Sequence, residues 1–234
     1  MADKSTLKHI GFIMDGNGRW ATSRGLTRSQ GHKEGFNALK NFIKVLAEDE
    51  ELEQASFYCF STENWKRPAL EVKFLMTLFR EMVDSAIKEL LEHNIQINIK
   101  GDLSDKSPFD EDLRIKLNAI NNNQLENPRF TVNLCMNYGG RDEIVRATQS
   151  LIAKGLEVTE ESLEKEILQS DLPLDLVVRT SGEQRLSNFL LWQSAYAEFL
   201  FTEYHWPDMD AEKFGEIKDS YYQRDRRFGG VKQN

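Results

Sequence analysis

His9–Met14 reads HIGFIM, an apolar run that breaks at once into Asp15–Arg19, DGNGR. The run has the length of a strand, and the two glycines end it in a tight turn before the next periodic segment. A strand that finishes in a polar, glycine-bearing burst is how a parallel α/β sheet builds its ligand-binding edge. The same grammar recurs along the chain. Ala55–Phe60 (ASFYCF) runs into STENWKRP, Phe130–Met136 (FTVNLCM) into NYGGRDE, and Asp175–Val178 (DLVV) into RTSGEQRLSN. Ile95, Ile97 and Ile99 alternate with polar residues, which marks another strand with one buried face.

Between these runs the period changes to that of helices. Phe36, Leu39, Ile43 and Leu46 lie three or four apart within Gly35–Glu48. Val72–His93 reads as a long helix whose apolar stripe is wider than one face. Phe109–Asn121, Asp142–Lys154 (with Gly155 as a stop) and Ala211–Arg226 complete the helical segments. Phe189–Phe201 is mostly apolar and aromatic. Alternating strands and helices predict an α/β fold, a central and mostly parallel sheet flanked by helices. No linker, low-complexity run or repeat divides the chain, so residues 1–234 are expected to form a single domain.

Composition narrows the function. Thirty Lys and Arg against 38 Asp and Glu give a net charge of −8, the wrong sign for a general nucleic-acid surface. No stretch approaches the length of a transmembrane helix, and the first residues lack the apolar core of a signal peptide. A cytoplasmic protein with no nucleic-acid partner is the expectation. Cys59 and Cys135 both sit in apolar runs and read as reduced, buried thiols.

The chemistry-bearing segments are the strand-end bursts. Gly16 and Gly18 let backbone N–H groups approach an anion, the following helix start adds its dipole, and Arg19 adds charge. Asp15 is a carboxylate in a place suited to phosphate; a Mg²⁺ between the two reconciles them, whereas a tight turn with an Asp cap is the plainer alternative. Arg179 and Arg185 flank a second glycine loop that also holds Ser181 and Ser187, a donor set for phosphate. Arg28, His32 and Arg67 complete a basic set. Glu198, in AYAEFLF, is an acid in an apolar context that needs a metal or arginine partner, unless it faces water. Walker A, GxGxxG and zinc-ligand spacings are absent.

Five motifs in order, HIGFIMDGNGRWA, FSTENWKRP, NYGGRDEI, RTSGEQRLSNFLLWQSAYAEFLFT and WPD, resemble the cis-prenyltransferase family, and most of all its bacterial undecaprenyl diphosphate synthases. The resemblance runs from about His9 to Gly230. The adjacent-aspartate motif of the all-helical trans-prenyltransferases is missing. The family implies a six-stranded, mostly parallel sheet surrounded by helices, an elongated apolar tunnel, a homodimer and a Mg²⁺ requirement. It implies repeated condensation of isopentenyl diphosphate, in cis, onto an allylic diphosphate such as farnesyl diphosphate. The expected product is long, undecaprenyl diphosphate, the precursor of the cell-wall carrier lipid. Such a product would be released by peripheral contact with the inner face of the membrane.

By the same resemblance, Asp15 is the essential aspartate of the Mg²⁺–diphosphate site and Gly16, Asn17, Gly18, Arg19 and Trp20 belong to its phosphate loop. Arg28 and His32 sit on the allylic diphosphate, with Arg67 close by. Ser61, Glu63, Asn64 and Trp65 form the segment next to the reacting carbons, with Asn64 a catalytic candidate. Arg179, Arg185 and Ser187 take isopentenyl diphosphate. Glu198 is the second acid associated with the metal, and Arg227 belongs to a C-terminal signature reaching the partner subunit's site. Asp15, Asn64 through a bound water, and the departing diphosphate remain the candidates for the base.

One face of Val72–Leu91, with Cys59, Ile97 and Phe130, is the candidate tunnel lining, ordinary core packing being the alternative for each. Three departures stand out. Gln184 replaces a common His, so a proton-shuttle role does not carry over to that position. Cys59 replaces a commoner alanine, and Phe130 is larger than the usual aliphatic residue. A bulkier tunnel would shorten the product, so a medium-chain synthase is the alternative. A non-catalytic prenyl-binding subunit is disfavoured by the joint presence of Asp15, Arg19, Arg179 and Arg185.

Overall fold

The computed structural model describes residues 6–168 and 172–224. Its centre is β1, His9–Ile13, every residue of which is buried. A short helix α1 (Asn17–Ser23) and the long α2 (Arg28–Ala47) follow, then β2 (Gln54–Ser61) and a 3₁₀ turn at Thr62–Lys66. Helices α3 (Ala69–Glu81) and α4 (Ile87–Glu92) are joined by a π turn at Met82–Ala86. Then come β3 (Ile95–Lys100), α5 (Glu111–Asn121), β4 (Phe130–Tyr138), α6 (Gly140–Ala153), α7 (Glu160–Leu168), β5 (Leu176–Arg179), β6 (Glu198–Phe201) and α8 (Ala211–Tyr222).

The six strands form one sheet in the order β3-β4-β2-β1-β5-β6, parallel throughout. From β1 the chain winds one way to β2 and later returns to β1's other side as β5. The gap between the carboxyl ends of β1 and β5 is therefore the topological switch point, where ligands of open α/β sheets bind.

Helices cover both faces. On one, Phe12 and Phe57 stack at 5.3 Å between ring centroids, and Phe42 of α2 meets Phe12 edge-on at 5.3 Å. Trp206 closes this cluster and donates its indole N–H to the Gly35 carbonyl at 2.8 Å, which ties the segment after β6 to the core. On the other face, α6 and α7 pack through Ala147, Leu151, Leu163 and Ile167 over a partly polar layer in which His9 Nε2 lies 2.8 Å from Ser56 Oγ. Among the described residues no helix is long and apolar enough to cross a membrane.

Four local differences from the sequence reading have physical causes. Helix α2 begins at Arg28, before Gly35, because Thr27 and Gln30 form a reciprocal capping box. Its glycines hide the helical pattern yet are required: a Cβ on Gly31 would lie 2.1 Å from the Asn17 carbonyl oxygen, and one on Gly35 would lie 2.2 Å from Asn17 Oδ1. The long helix of residues 72–93 is interrupted by the π turn. Helix α7 is an additional element. Strand β6, half-buried along its length, lies at the sheet edge and so lacks the periodic signature of an interior strand.

Candidate active site

A cleft of about 750 Å³ opens at the carboxyl ends of β1, β2 and β5. Asp15 follows β1 and Arg179 ends β5, so the switch point brings together two residues 164 positions apart. Arg179 Nη2 donates to Asp15 Oδ2 at 2.9 Å. The guanidinium is only 4% exposed and its Nη1 also donates to Ser187 Oγ at 2.7 Å and the Arg185 carbonyl at 2.6 Å. Held at Nη1 by the following loop and at Nη2 by Asp15, the buried fork is fixed in direction.

Burial raises the Asp15 carboxyl, but the bond and charge from Arg179, the Gly16 N–H and the charge of Arg19 outweigh it and hold the group below the usual carboxylate range. Gly16 N–H donates to Asp15 Oδ1 at 2.8 Å, and Arg19 lies 3.6 Å from the same oxygen. Gly16 has φ +104°, and Gly16, Asn17, Gly18 and Arg19 all line the cleft. Arg19 and Arg185 both reach Glu183, at 3.3 and 2.5 Å.

A second basic group faces this one across the cleft. Arg67, His32 and Arg28 converge on Glu71 Oε1 at 3.0, 3.3 and 3.8 Å. Burial raises the Glu71 carboxyl, and Arg67, Arg28 and His32 more than reverse that, so it stays ionised. Burial likewise holds His32 below the ordinary imidazole range despite the opposing pull of Glu71. Ser61, Glu63 and Asn64 line the wall between the two groups, where Asn64 Oδ1 accepts the Ser61 N–H at 3.1 Å.

Other sequence-predicted residues are placed elsewhere. Trp20 turns from the cleft and donates its indole N–H to Asp208 at 2.7 Å, with Arg24 over its ring at 4.4 Å. Trp65 packs edge-on against Phe60 and Phe109 and donates to Asn137 Oδ1 at 2.8 Å. Both are braces around the site instead of part of its lining.

Glu198 lies apart from Asp15 and has the arginine partner that its apolar context calls for. It is the first residue of β6, registered with Leu176 and thus with Ile10 of β1, so it lies at the amino end of the sheet while Asp15 lies at the carboxyl end. Its carboxylate is held by Arg224 at 2.9 Å, and within one chain it does not share an ion with Asp15. Arg227 lies outside the described residues.

Three residues escape the sequence reading, Tyr58 and Asn188 in the cleft lining and Glu71 behind its basic wall. Glu71 carries no motif of its own, although its position four after Arg67 on a helix start is a legible signal. Tyr58 is inside a strand, where its hydroxyl donates to the Ser187 carbonyl at 3.1 Å. Asn188 ties the Arg185–Ser187 loop to the site wall, donating to Glu63 at 3.0 Å and accepting the Arg141 N–H at 2.9 Å.

A narrow cavity of about 70 Å³ leads inward from the cleft past Cys59, Leu75, Phe79 and Met82. Ile97 and Phe130 are fully packed in the core.

The sequence profile of the prenyltransferase family described as "Putative undecaprenyl diphosphate synthase" matches residues 13–229. The isoprenyl transferase of Fusobacterium nucleatum is 44% identical, over 98% of this chain and 99% of that protein. The (2E,6E)-farnesyl-diphosphate-specific ditrans,polycis-undecaprenyl-diphosphate synthase of Buchnera aphidicola, strain APS, is 42% identical, over 97% of this chain and 92% of its own length. A crystal structure of a probable undecaprenyl diphosphate synthase from Campylobacter jejuni superposes with TM-score 0.81 at 33% identity, covering 97% of this chain and 100% of that one. Lavandulyl diphosphate synthase from Lavandula x intermedia, in complex with dimethylallyl diphosphate, gives TM-score 0.86 at 32% identity, covering 96% and 99%.

Proposed function

We propose, since the chain belongs to the undecaprenyl diphosphate synthase family of prenyltransferases and is an enzyme that transfers prenyl groups, that it adds isopentenyl diphosphate in cis to farnesyl diphosphate. The product in this reading is a long polyprenyl diphosphate, undecaprenyl diphosphate, made for the cell-wall carrier lipid. The observation that carries the reading is two facing cationic groups in one cleft beside an ionised Asp15, Arg19, Arg179 and Arg185 on one side and Arg28 and Arg67 on the other, where the His32 imidazole adds a hydrogen-bonding ring.

Two diphosphates need two cationic sites, and the reaction needs them adjacent. When the allylic carbon–oxygen bond breaks, its electron pair leaves with the diphosphate, and positive charge grows on the carbon left behind. The double bond of isopentenyl diphosphate attacks that carbon, and the new unit loses a proton to restore a double bond. Fixed guanidinium groups stabilise the leaving group as its charge develops. Holding both substrates in one cleft turns a collision into a positioned step.

Asp15 also fits a Mg²⁺ requirement. Among the described residues no three His, Cys, Asp or Glu side chains are grouped to hold a metal by themselves. Mg²⁺ commonly uses one or two carboxylates and takes its remaining ligands from phosphates and water, which suits a single ionised Asp15 in an anion-binding loop. When bound there, Mg²⁺ would neutralise charge on the departing diphosphate.

The reading includes a cytoplasmic homodimer that touches the membrane only to release product. Support for self-association comes from an apolar groove of about 910 Å³ lined by Leu174, Leu191, Trp192 and Tyr196, the last 75% exposed. The second reading, a medium-chain product, keeps the same chemistry and rests on Cys59, bulkier than the family's commoner alanine and part of the wall of the inner cavity.

The test is incorporation of labelled isopentenyl diphosphate into a farnesyl diphosphate primer with Mg²⁺, followed by product sizing. Asp15→Ala is expected to lower turnover by about 10²–10³. Near-normal incorporation by that variant would refute the assignment, and product length separates the two readings.

A further inference from the structure

Behind the Asp15 loop, Ser181 Oγ lies 2.7 Å from His205 Nδ1. Neither side chain lines the cleft. Ser181 is 4% exposed and holds φ +78°, a left-handed conformation uncommon for a residue with a Cβ. Its neighbours account for the backbone: Ser181 N–H donates to the Tyr204 carbonyl at 2.7 Å and Gly182 N–H to that of Thr202 at 2.8 Å. The turn after β5 is thereby laced to the segment after β6.

Both segments are also fastened to the Asp15 loop. Trp206 N–H donates to the Asp15 carbonyl at 3.0 Å. Thr180 Oγ1 donates to that carbonyl at 2.7 Å and accepts the Asp15 N–H at 2.9 Å. The side chains of Ser181 and His205 then press on the next residue. A Cβ placed on Gly16 would stand 2.6 Å from Ser181 Oγ and 2.8 Å from His205 Nδ1, so the pair rests directly against the Gly16 α-carbon.

We propose that Ser181 and His205 act as one positioning device for the reaction, a hydrogen-bonded wedge that fixes the Gly16 turn and so aims the Asp15 carboxylate and the start of α1 at the diphosphate. The polar contact matters beyond packing. The bond keeps both side chains on the Gly16 side, whereas a hydroxyl and an imidazole without it can each rotate away. Loss of either partner frees the other, which predicts that the two act as a unit.

The inference rests on the reading of Asp15 as the diphosphate-site acid, and the experiment separates the two. Ser181→Gly removes the hydroxyl while suiting φ +78°, so the backbone is not strained at that position and the loss is that of the hydrogen bond. His205→Leu removes the partner. His205→Asn retains a polar atom close to the place of Nδ1. Steady-state prenyl transfer and thermal midpoints are measured for each, for Ser181→Gly/His205→Leu, and for Asp15→Ala.

Ser181→Gly and His205→Leu are each expected to lower kcat about tenfold, because sub-ångström misplacement near the chemistry is costly. KM for isopentenyl diphosphate should change less than threefold. The double variant should fall no further than either single one, and His205→Asn should recover most of the rate. Rates that multiply in the double variant, equal loss in His205→Asn and His205→Leu, or unchanged kcat with Asp15→Ala inactive would overturn the wedge. An active Asp15→Ala would instead overturn the reading beneath it.

Discussion

Gly16→Ala tests the site's geometry with a single methyl group. With φ +104°, the backbone at Gly16 is in the left-handed region, which costs an L-residue about 1–2 kcal/mol. The added Cβ would also meet Ser181 Oγ at 2.6 Å, and ordinary contact begins near 3.4 Å, so something must move by about 0.8 Å. Overpacking of that kind costs about 1–3 kcal/mol. The sum, about 2–5 kcal/mol, is a large part of the stability of a typical domain, about 5–15 kcal/mol. A urea midpoint about 1 M lower is expected. If the loop takes up the shift, Asp15 moves with it, and displacement on that scale lowers turnover about a hundredfold. Gly25→Ala is the internal control. Gly25 has φ +69° but no atom within 4 Å of the added Cβ, so only the backbone cost of about 1–2 kcal/mol applies, and activity should be unchanged. Denaturation curves and prenyl-transfer rates for both variants decide the matter. Equal stability losses in the two, together with full activity in Gly16→Ala, would refute the packing described around the Asp15 loop.

Three further outcomes are expected. Arg179→Met should lower turnover about 10²–10³-fold, and because Arg179 helps hold the Asp15 carboxyl down, the acid limb of the pH–rate profile should move to higher pH. His9 is buried neutral, its imidazole lowered by burial to about 4, so the unfolded chain binds the extra proton between that value and the ordinary 6.5. Its contribution is complete above pH 6.5 and about 3 kcal/mol is lost as pH falls to about 4; denaturant melts of His9→Gln should lack that slope. Burial pushes the Cys59 thiol up to about 12 and raises Cys135 as well. Iodoacetamide at pH 8 should therefore leave the buried Cys135 unlabelled in the folded protein and label Cys59, half-buried in the cleft wall, only slowly, and should modify both in urea, as mass spectrometry would show.

Much of this arrangement is legible in the sequence because buried strands and their polar terminations are local signals. HIGFIM followed by DGNGR announces both a strand and what it carries, and the DLVV–Arg179 junction announces its partner. What is not local is lost. Glu198 looks like a site acid by composition, yet strand register puts it at the other end of the sheet, and register cannot be read from AYAEFLF. Trp20 and Trp65 lie inside motifs rich in site residues, but their indole N–H groups found Asp208 and Asn137, so they support the cleft from behind. Glu71 is invisible until α3 swings it against Arg28 and His32 of a different helix. The edge strand β6 and the π turn likewise depend on neighbours: one lacks a buried face, and the other is a helix in every residue but its hydrogen-bond register.

The place of β1 in the sheet has a consequence for biosynthesis. Of the six strands β1 is synthesised before the others, and β2 soon covers one of its edges, but the other edge is filled only by β5, beginning at Leu176. At translation rates of about 5–20 residues per second, the intervening stretch takes about 10–30 s to emerge. For that interval the nascent chain presents a largely apolar strand with a bare row of N–H and C=O groups, an arrangement prone to mispairing between chains. The same delay keeps Asp15 without Arg179, so a chain that stalls or is cleaved before β5 has no assembled site, and a folding helper would have the most to do on this segment.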